Sequence, residues 1–259
     1  MSSTIKLMKR NLQALMFLLL TASLGLSQEA APTPTPATPT PTPAAAAKPA
    51  AVPAPTQAAP VDDLKAVLAQ MDKASGFKSA EADFEWETYT RVVNEREKQA
   101  GHIFFRRTSK NNVDASVQVI TPHAKQAVIK EGKVSMYIPE TNQTTVREIG
   151  SNRADVESLM NLGFGGRGQD LLKDYDVKMD GWEKVDGIQT AKLELVPKGD
   201  HLKQFFSKVI LWVDPKRDVP LKQQRLQSSG DYQLTHYTNI ELNGKISDDV
   251  FRLKTASKK

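Results

Sequence analysis

The chain has 259 residues, 35 of them basic and 30 acidic, and contains no cysteine. It is long enough for one substantial domain or two small ones, and the lack of cysteine excludes disulfides, thiolate metal sites, a cysteine nucleophile and an acylated N-terminal cysteine of its own. Four basic residues and one acidic residue precede residue 61, which leaves 31 basic against 29 acidic side chains in the remainder. That balance does not indicate nucleic-acid binding, which requires basic side chains concentrated on one face.

The N-terminus has the pattern of a secretory signal peptide over residues 1–27. Three basic residues within the first ten are followed by an apolar run, residues 12–26, and small residues stand at Gly25 and Ser27, the positions that a signal peptidase reads. We expect cleavage after Ser27 and a periplasmic location. The alternative is an uncleaved anchor, but the apolar run is shorter than the ~20 residues of a spanning helix.

An Ala/Pro/Thr-rich linker is predicted over residues 28–60. Ten of the fifteen prolines lie between Pro32 and Pro60, and such a composition cannot bury a core, so it is typical of a disordered, polyproline II-like spacer. A tether that lets the domain move away from a membrane is the second interpretation, and it requires an uncleaved signal. One folded domain is predicted over residues 61–255, followed by a basic tail at 256–259.

Within the domain, strands predominate. A helix capped by Asp62 or Asp63 and ending at Gly76 comes first, and two more are predicted at 152–162 and 169–174. Period-two alternation and turn dipeptides predict strands at 84–91, 102–108, 114–120, 125–130, 134–139, 144–149, 175–185 and 190–197, with three long strands and a short closing segment between Phe205 and Leu253. The first two strands are expected to pair across a connection at 95–101.

Explicit turn signals join these strands. They are Glu131-Gly132, Asp186-Gly187, Asp214-Pro215-Lys216 and Ser229-Gly230-Asp231. Hairpins are therefore the commonest connection, and the pattern predicts an α+β domain, mainly antiparallel, with one large curved sheet and two or three helices against one face.

Residues that would perform chemistry are not arranged to do so. Gly163, Gly165 and Gly168 spell G-x-G-x-x-G, but a helix and not a strand precedes them, so a glycine-rich loop is favoured over a dinucleotide site. The four histidines have no metal-ligand spacing, and no serine lies in a G-x-S-x-G. The sequence therefore predicts no enzyme, no cofactor and no metal.

Apolar side chains alternate along several strands and recur on the helix at 152–162. They form either an ordinary core beneath the helices or a lined cavity, and the pattern alone leaves both open. In the second case, the helix followed by glycines suits a movable lid. The candidate lipid-binding residues are Phe84, Trp86, Ile103, Phe105, Met136, Ile138, Val156, Leu159, Met160, Phe164, Leu193, Leu195, Val209, Leu211 and Val213.

Strand-and-turn motifs in the second half of the chain resemble those of LolA-like outer-membrane lipoprotein carriers. The motifs are KVILWVDP at 208–215, VPLKQ at 219–223, Gly230-Asp231, Asn239-Ile240, Asn243, ISDDVF at 246–251 and the hairpin KEGKVSMYIP at 130–139. The resemblance covers residues 62–254. It implies an incomplete, half-open β-barrel of about ten or eleven strands, with helices in or over its concave face.

The same resemblance implies a function. Members of that family carry the acyl chains of lipoproteins, in an apolar cavity, from an inner-membrane release complex to an outer-membrane acceptor, and we expect this chain to do so as a monomer. The alternative is an envelope sensor or scaffold domain that uses the same fold to bind a lipid or a partner protein.

Overall fold

The computed structural model describes residues 61–109, 112–150, 162, 164 and 166–254. Its helices are α1 (Val61–Ala74), α2 (Gly168–Asp174) and α3 (Asp200–Lys203), with a 3₁₀ turn at Asp248–Phe251. Its strands are β1 (Ser79–Thr90), β2 (Glu95–Ser109), β3 (Asn112–Thr121), β4 (Lys125–Lys130), β5 (Lys133–Ile138), β6 (Gln143–Glu148), β7 (Tyr175–Val185), β8 (Ile188–Pro197), β9 (Lys208–Asp214), β10 (Val219–Leu226) and β11 (Tyr232–Leu242). No helix in these ranges combines the length and apolar character needed to cross a membrane.

All eleven strands belong to one sheet. Their order is β6-β5-β4-β3-β2-β1-β11-β10-β9-β8-β7, and each neighbouring pair is antiparallel. β6 and β7 are the two edges, so the sheet is not closed. The predicted α+β class and the open, mainly antiparallel sheet of ten to eleven strands are confirmed.

Two of the predicted turns have the backbone conformation of tight hairpins. Glu131 and Gly132 have φ of 50° and 72°, and Asp186 and Gly187 have φ of 51° and 78°. Two successive positive φ angles define the type I′ turn, whose twist matches that of the flanking strands. The dipeptides therefore fix where β4 returns as β5 and where β7 returns as β8.

The predicted connection at 95–101 is wrong, because these residues are part of β2. The turn is confined to residues 91–94, and β2 runs for 15 residues. Glu87 pairs with Lys98 in the ladder, so alternating charges on the two strands face each other and support pairing. The ring of Tyr89 also stacks on Tyr232, with centroids 5.2 Å apart. The charged residues at 95–98 therefore belong to a paired strand and not to a loop.

The two faces of the sheet are covered differently. We call the helical face the one that carries Leu193 of β8 and Leu211 of β9, since both side chains pack in one cluster with Leu68 of α1 and Leu171 of α2. The opposite face receives the C-terminal segment. There the amide of Gln126 donates to the carbonyl oxygens of Val250 (3.2 Å) and Arg252 (2.9 Å).

Two apolar clusters form the core. The helix-covered cluster joins α1, α2 and α3 to β7, β8 and β9. The central-strand cluster joins β1 and β2 to β10 and β11 through Phe84, Trp86, Phe105, Leu221 and Tyr237.

We expect Gly101→Ala to destabilise the fold severely. A Cβ at this position would lie 1.9 Å from the backbone oxygen of Gln118, so β2 and β3 would have to separate at a bulge between Ala100 and Gly101. The free energy of unfolding in urea should fall by roughly 3 kcal/mol or more. Gly244→Ala is the control, because only a carboxylate oxygen of Glu241, at 3.9 Å, lies near its Cβ. Equal unfolding midpoints for both variants would contradict the prediction.

Candidate functional site

The candidates on β8 and β9 lie under the helices. Leu193, Leu195 and Val209 are 0% exposed, and Leu211 and Val213 are 2% exposed. All five belong to the helix-covered cluster with α1 and α2. In this structure they are core residues that fix the helices to the sheet.

A second group of candidates lies in the central-strand cluster. Phe84, Trp86, Phe105 and Phe164 are buried there, and half-buried Ile103 packs against them. The rings of Phe84 and Trp86 stack with centroids 4.2 Å apart, because residues two apart on a strand share a face. These side chains extend the apolar surface across the middle of the sheet.

The β5 candidates continue that surface outward. Met136 is buried and pairs with Ala127 of β4, Ala127 pairs with Val117 of β3, and Val117 pairs with Ile103 of β2. Ile138 is half-buried on the same strand. Directly opposed residues in a ladder share a face, so Met136 lies on the helical face. Val156, Leu159 and Met160, together with the predicted helix at 152–162, lie outside the described residues.

Residues 162 and 164 connect the two clusters. Leu162 packs in the helix-covered cluster, and its carbonyl oxygen accepts a 3.3 Å hydrogen bond from the amide of Gln223 on β10. Phe164 is buried against Tyr237 of β11 in an edge-to-face contact, with ring centroids 5.2 Å apart. Leu162 and Phe164 thus lie over the helical face, against β10 and β11 respectively.

Helices α1 and α2 approach each other closely at Gly168. A Cβ on Gly168 would lie 2.5 Å from the carbonyl oxygen of Leu68, so only glycine allows the two backbones to meet. Beside it, the backbone N–H of Gln169 donates to the Oδ1 atom of Asp72 at 3.1 Å. The last glycine of the G-x-G-x-x-G pattern therefore begins α2 and has a packing role, where the sequence predicted a glycine-rich loop. Gly163 and Gly165 lie outside the described residues.

A small pocket opens between these elements. Its lining residues are Met71, Leu162, Gly166, Leu171, Leu211, Val213, Asp218 and Pro220. It is apolar apart from one carboxyl group.

That carboxyl, Asp218, is buried in the turn between β9 and β10. Burial raises its pKa to about 8, with a smaller contribution from the negative charge of Asp72, while Arg107 acts in the opposite direction. Within the described part of the chain its Oδ2 has no hydrogen-bond partner. The residue has a φ of 55°, which aspartate and asparagine tolerate better than most side chains. At neutral pH the group is therefore largely protonated.

Three polar residues on the helical side escaped sequence reasoning: Asp218, Gln223 and Arg225. An unbroken alternation along β10 would place Leu226 inward and Arg225 outward. A bulge between Pro220 and Lys222 shifts the register, and Gln223 and Arg225 then pair with Leu211 and Val209 on the helical face. The Val219-Pro220 dipeptide is the available signal, since proline within a strand marks a bulge or an edge.

No group of three or more histidine or acidic side chains that could hold a metal ion occurs among the residues described.

Comparisons with known proteins concern the fold. A family model whose description reads only "Uncharacterized protein" matches residues 123–241, and no curated protein matches significantly. Solved structures with a similar fold include a putative outer membrane lipoprotein-sorting protein domain from Vibrio parahaemolyticus, with 14% identity, a TM-score of 0.39, and coverage of 73% of this chain and 94% of that one.

Two further structures belong to other groups. A DUF1329 family protein from Desulfovibrio piger has 15% identity and a TM-score of 0.43, with coverage of 74% of this chain and 97% of that one. MucB in its complex with MucA from Pseudomonas aeruginosa has 17% identity and a TM-score of 0.46, with 74% of this chain covered. The chain spans about three-fifths of the MucB chain, at 61%. The structural neighbours thus include lipoprotein-sorting proteins, as the sequence resemblance led us to expect.

We expect Asp218→Asn to stabilise the protein at alkaline pH. The folded-state pKa of about 8 lies above the ordinary aspartate value of 3.8, so the folded chain binds a proton that the unfolded chain releases. Stability conferred by this proton is therefore lost as the pH rises from about 4 to about 8. Urea unfolding of the variant should show a shallower decline over that window and, at pH 8.5, a gain on the order of 1–3 kcal/mol. Parallel pH profiles for the variant and the wild type would contradict the assignment.

Proposed function

We propose that this protein is a periplasmic carrier that shields the acyl chains of lipoproteins or other lipids against the helical face of its open sheet. The observation that supports the proposal most directly is an apolar row on the helical face, which runs from Met136 through Val117 and Ile103 to Ala82, beside Phe84. Leu162 and Phe164 lie over the neighbouring strands, held by one hydrogen bond from Gln223 and one aromatic contact of Phe164 with Tyr237.

The physical requirement of a carrier is shielding without chemistry. Each buried CH₂ of an acyl chain contributes about 0.8 kcal/mol, so a chain of sixteen carbons requires shielding on the order of 10 kcal/mol. Apolar side chains supply this shielding without hydrogen-bonding groups. The helix-covered cluster is already filled by α1 and α2, so we place the chain along the central strands, where Ile103 and Ile138 are only half-buried.

The proposed route follows from the N-terminal sequence and the family resemblance. A cleaved signal at residues 1–27 would deliver the domain to the periplasm, and the linker at 28–60 would remain as a flexible leader. An inner-membrane release complex would load the carrier and an outer-membrane acceptor would unload it. Val156, Leu159 and Met160 remain predicted lid residues in this scheme.

One surface feature favours the alternative of an envelope sensor or scaffold that binds a partner protein. The turn between β1 and β2 exposes two adjacent valines, Val92 at 90% and Val93 at 56%. Large apolar side chains at the tip of a hairpin are suited to insertion into a partner's pocket. Loss of partner binding in the double variant Val92→Ser/Val93→Ser, without loss of acyl binding, would support this second function.

We expect Ile103→Asn to weaken acyl binding about tenfold, the equivalent of 1.4 kcal/mol. The change places an amide on the proposed acyl surface. Phe104→Asn is the matched control, since Phe104 is also half-buried but lies on the opposite face of the same strand. Binding would be measured by fluorescence titration with 11-(dansylamino)undecanoic acid and by retention of a palmitoylated peptide. Equal weakening in both variants, or no binding by the wild type, would contradict the carrier proposal.

A further inference from the structure

Arg225 brings a positive charge to the helical face. It pairs with Gln233 on β11 and with Val209 on β9, and Val209 pairs in turn with Leu195 on β8. Directly opposed residues share a face, so the guanidinium stands in a row whose neighbours toward α1 and α2 are apolar. The opposite side of that row continues to Thr88 of β1. Arg225 therefore lies between the two apolar clusters.

The hydrogen-bonding capacity of this guanidinium is only partly used. One Nη donates to the side-chain oxygen of Gln233. The Nε is buried and has no acceptor in the part of the chain that the structure describes, and none of the ion pairs found there involves Arg225. Burial lowers the pKa of Arg225, yet an arginine stays charged at neutral pH. A buried cation without a carboxylate is a costly arrangement unless a partner arrives.

Two tyrosines face the same charge. The phenols of Tyr175 on β7 and Tyr237 on β11 both interact electrostatically with Arg225. The hydroxyl of Tyr175 is buried and, among the residues described, has no hydrogen-bond partner. Burial is the main cause that raises the pKa of both phenols, with the neighbouring Asp174 adding to the effect at Tyr175. The hydroxyls are thus protonated and able to donate.

Two buried groups here that lack a partner among the described residues can donate: the Nε–H of Arg225 and the hydroxyl of Tyr175. A fork of guanidinium N–H groups is matched by the two oxygens of a carboxylate or a phosphate. Trp86 and Phe84 of the central-strand cluster, on the same face of β1 as Thr88, offer apolar contact, which a small hydrophilic anion would not use. The ligand that fits both parts is amphiphilic.

We propose that Arg225, supported by Gln233 and Tyr175, binds the anionic head group of a lipid, either a carboxylate or a phosphate, whose acyl chain lies on the adjoining apolar surface. This inference rests on the proposed function and narrows it, because it selects single amphiphiles with a charged head over uncharged acyl groups. It places the head at the boundary between β10 and β11, where Arg225 pairs with Gln233.

The test compares two probes that differ only in head-group charge, 11-(dansylamino)undecanoic acid and its methyl ester, titrated into the full chain at pH 7.5. The wild type should bind the acid at least about tenfold more tightly than the ester. Arg225→Gln should reduce that ratio to about threefold or less while leaving the ester affinity unchanged. Arg96→Gln, a change of an exposed arginine on β2 that stacks on Tyr89, should keep the full ratio.

A second variant protects the test against loss of folding. Tyr175→Phe removes only the hydroxyl, and it should weaken binding of the acid about threefold with no effect on the ester. Competition by palmitate or by a lysophosphatidate identifies which head group is preferred, and either supports the inference.

Four outcomes separate the inference from the function on which it rests. Equal affinity of the wild type for acid and ester overturns the head-group site and leaves the acyl carrier intact. An undiminished ratio in both Arg225→Gln and Tyr175→Phe also overturns it. Competition by millimolar acetate or inorganic phosphate as strong as that by palmitate identifies a site for free anions and overturns the assignment to a lipid. Failure of both probes to bind the wild type contradicts the carrier function itself.

Discussion

The constraint on which the rest of this structure depends is an eleven-stranded sheet whose edges do not meet. Closure of a sheet into a barrel would hide its inner face by side chains alone. Here one face must be covered by other elements, and α1 and α2 cover only the part formed by β7, β8 and β9. The two helices approach each other closely at Gly168 against Leu68, and Leu162 packs with them while Phe164 packs with the central strands. The division of the core into two clusters follows from that partial cover.

Among the described residues, the polar contacts between the cover and the sheet are single hydrogen bonds. Gln223 of β10 donates to Leu162, and Lys198, directly after β8, donates to the carbonyl oxygens of Asp174 and Leu172 in α2. A single hydrogen bond contributes only about 1 kcal/mol net, so apolar packing accounts for most of the attachment. An acyl chain offers the same kind of contact as the side chains it would replace. Exchange between protein and lipid contacts on this face therefore requires no strong interaction to be broken.

Much of the fold could be predicted from the sequence, because its turns are encoded locally. Glu131-Gly132 and Asp186-Gly187 specify hairpins by their own backbone preferences, whatever lies around them. The start of β2 could not be predicted, since the charges of residues 95–98 pair with a partner strand that is defined only once the hairpin exists. The site was harder still. Period-two alternation identified Leu193, Leu211 and Phe84, but it could not tell a cavity from the core under α1. It also missed Arg225, because one bulge near Pro220 exchanges the faces of the whole strand that follows.

The bulge in β10 places the charged Arg225 on the helical face, where an unbroken alternation would place Leu226. It therefore adds a charge to an otherwise apolar part of that face. Asp218 and Arg225 both lie on the helical side of the sheet, yet they respond to burial in different ways. The carboxyl of Asp218 takes up a proton, with a pKa of about 8, and so loses its charge at neutral pH. A guanidinium does not lose its proton near neutral pH, so Arg225 retains its charge. Of these two groups only Arg225 is charged at neutral pH, and Asp218 cannot serve as its counter-ion. An anion that enters beside Gln233 with an apolar chain attached would meet a cation that no described carboxylate neutralises, next to the central strands that favour the chain.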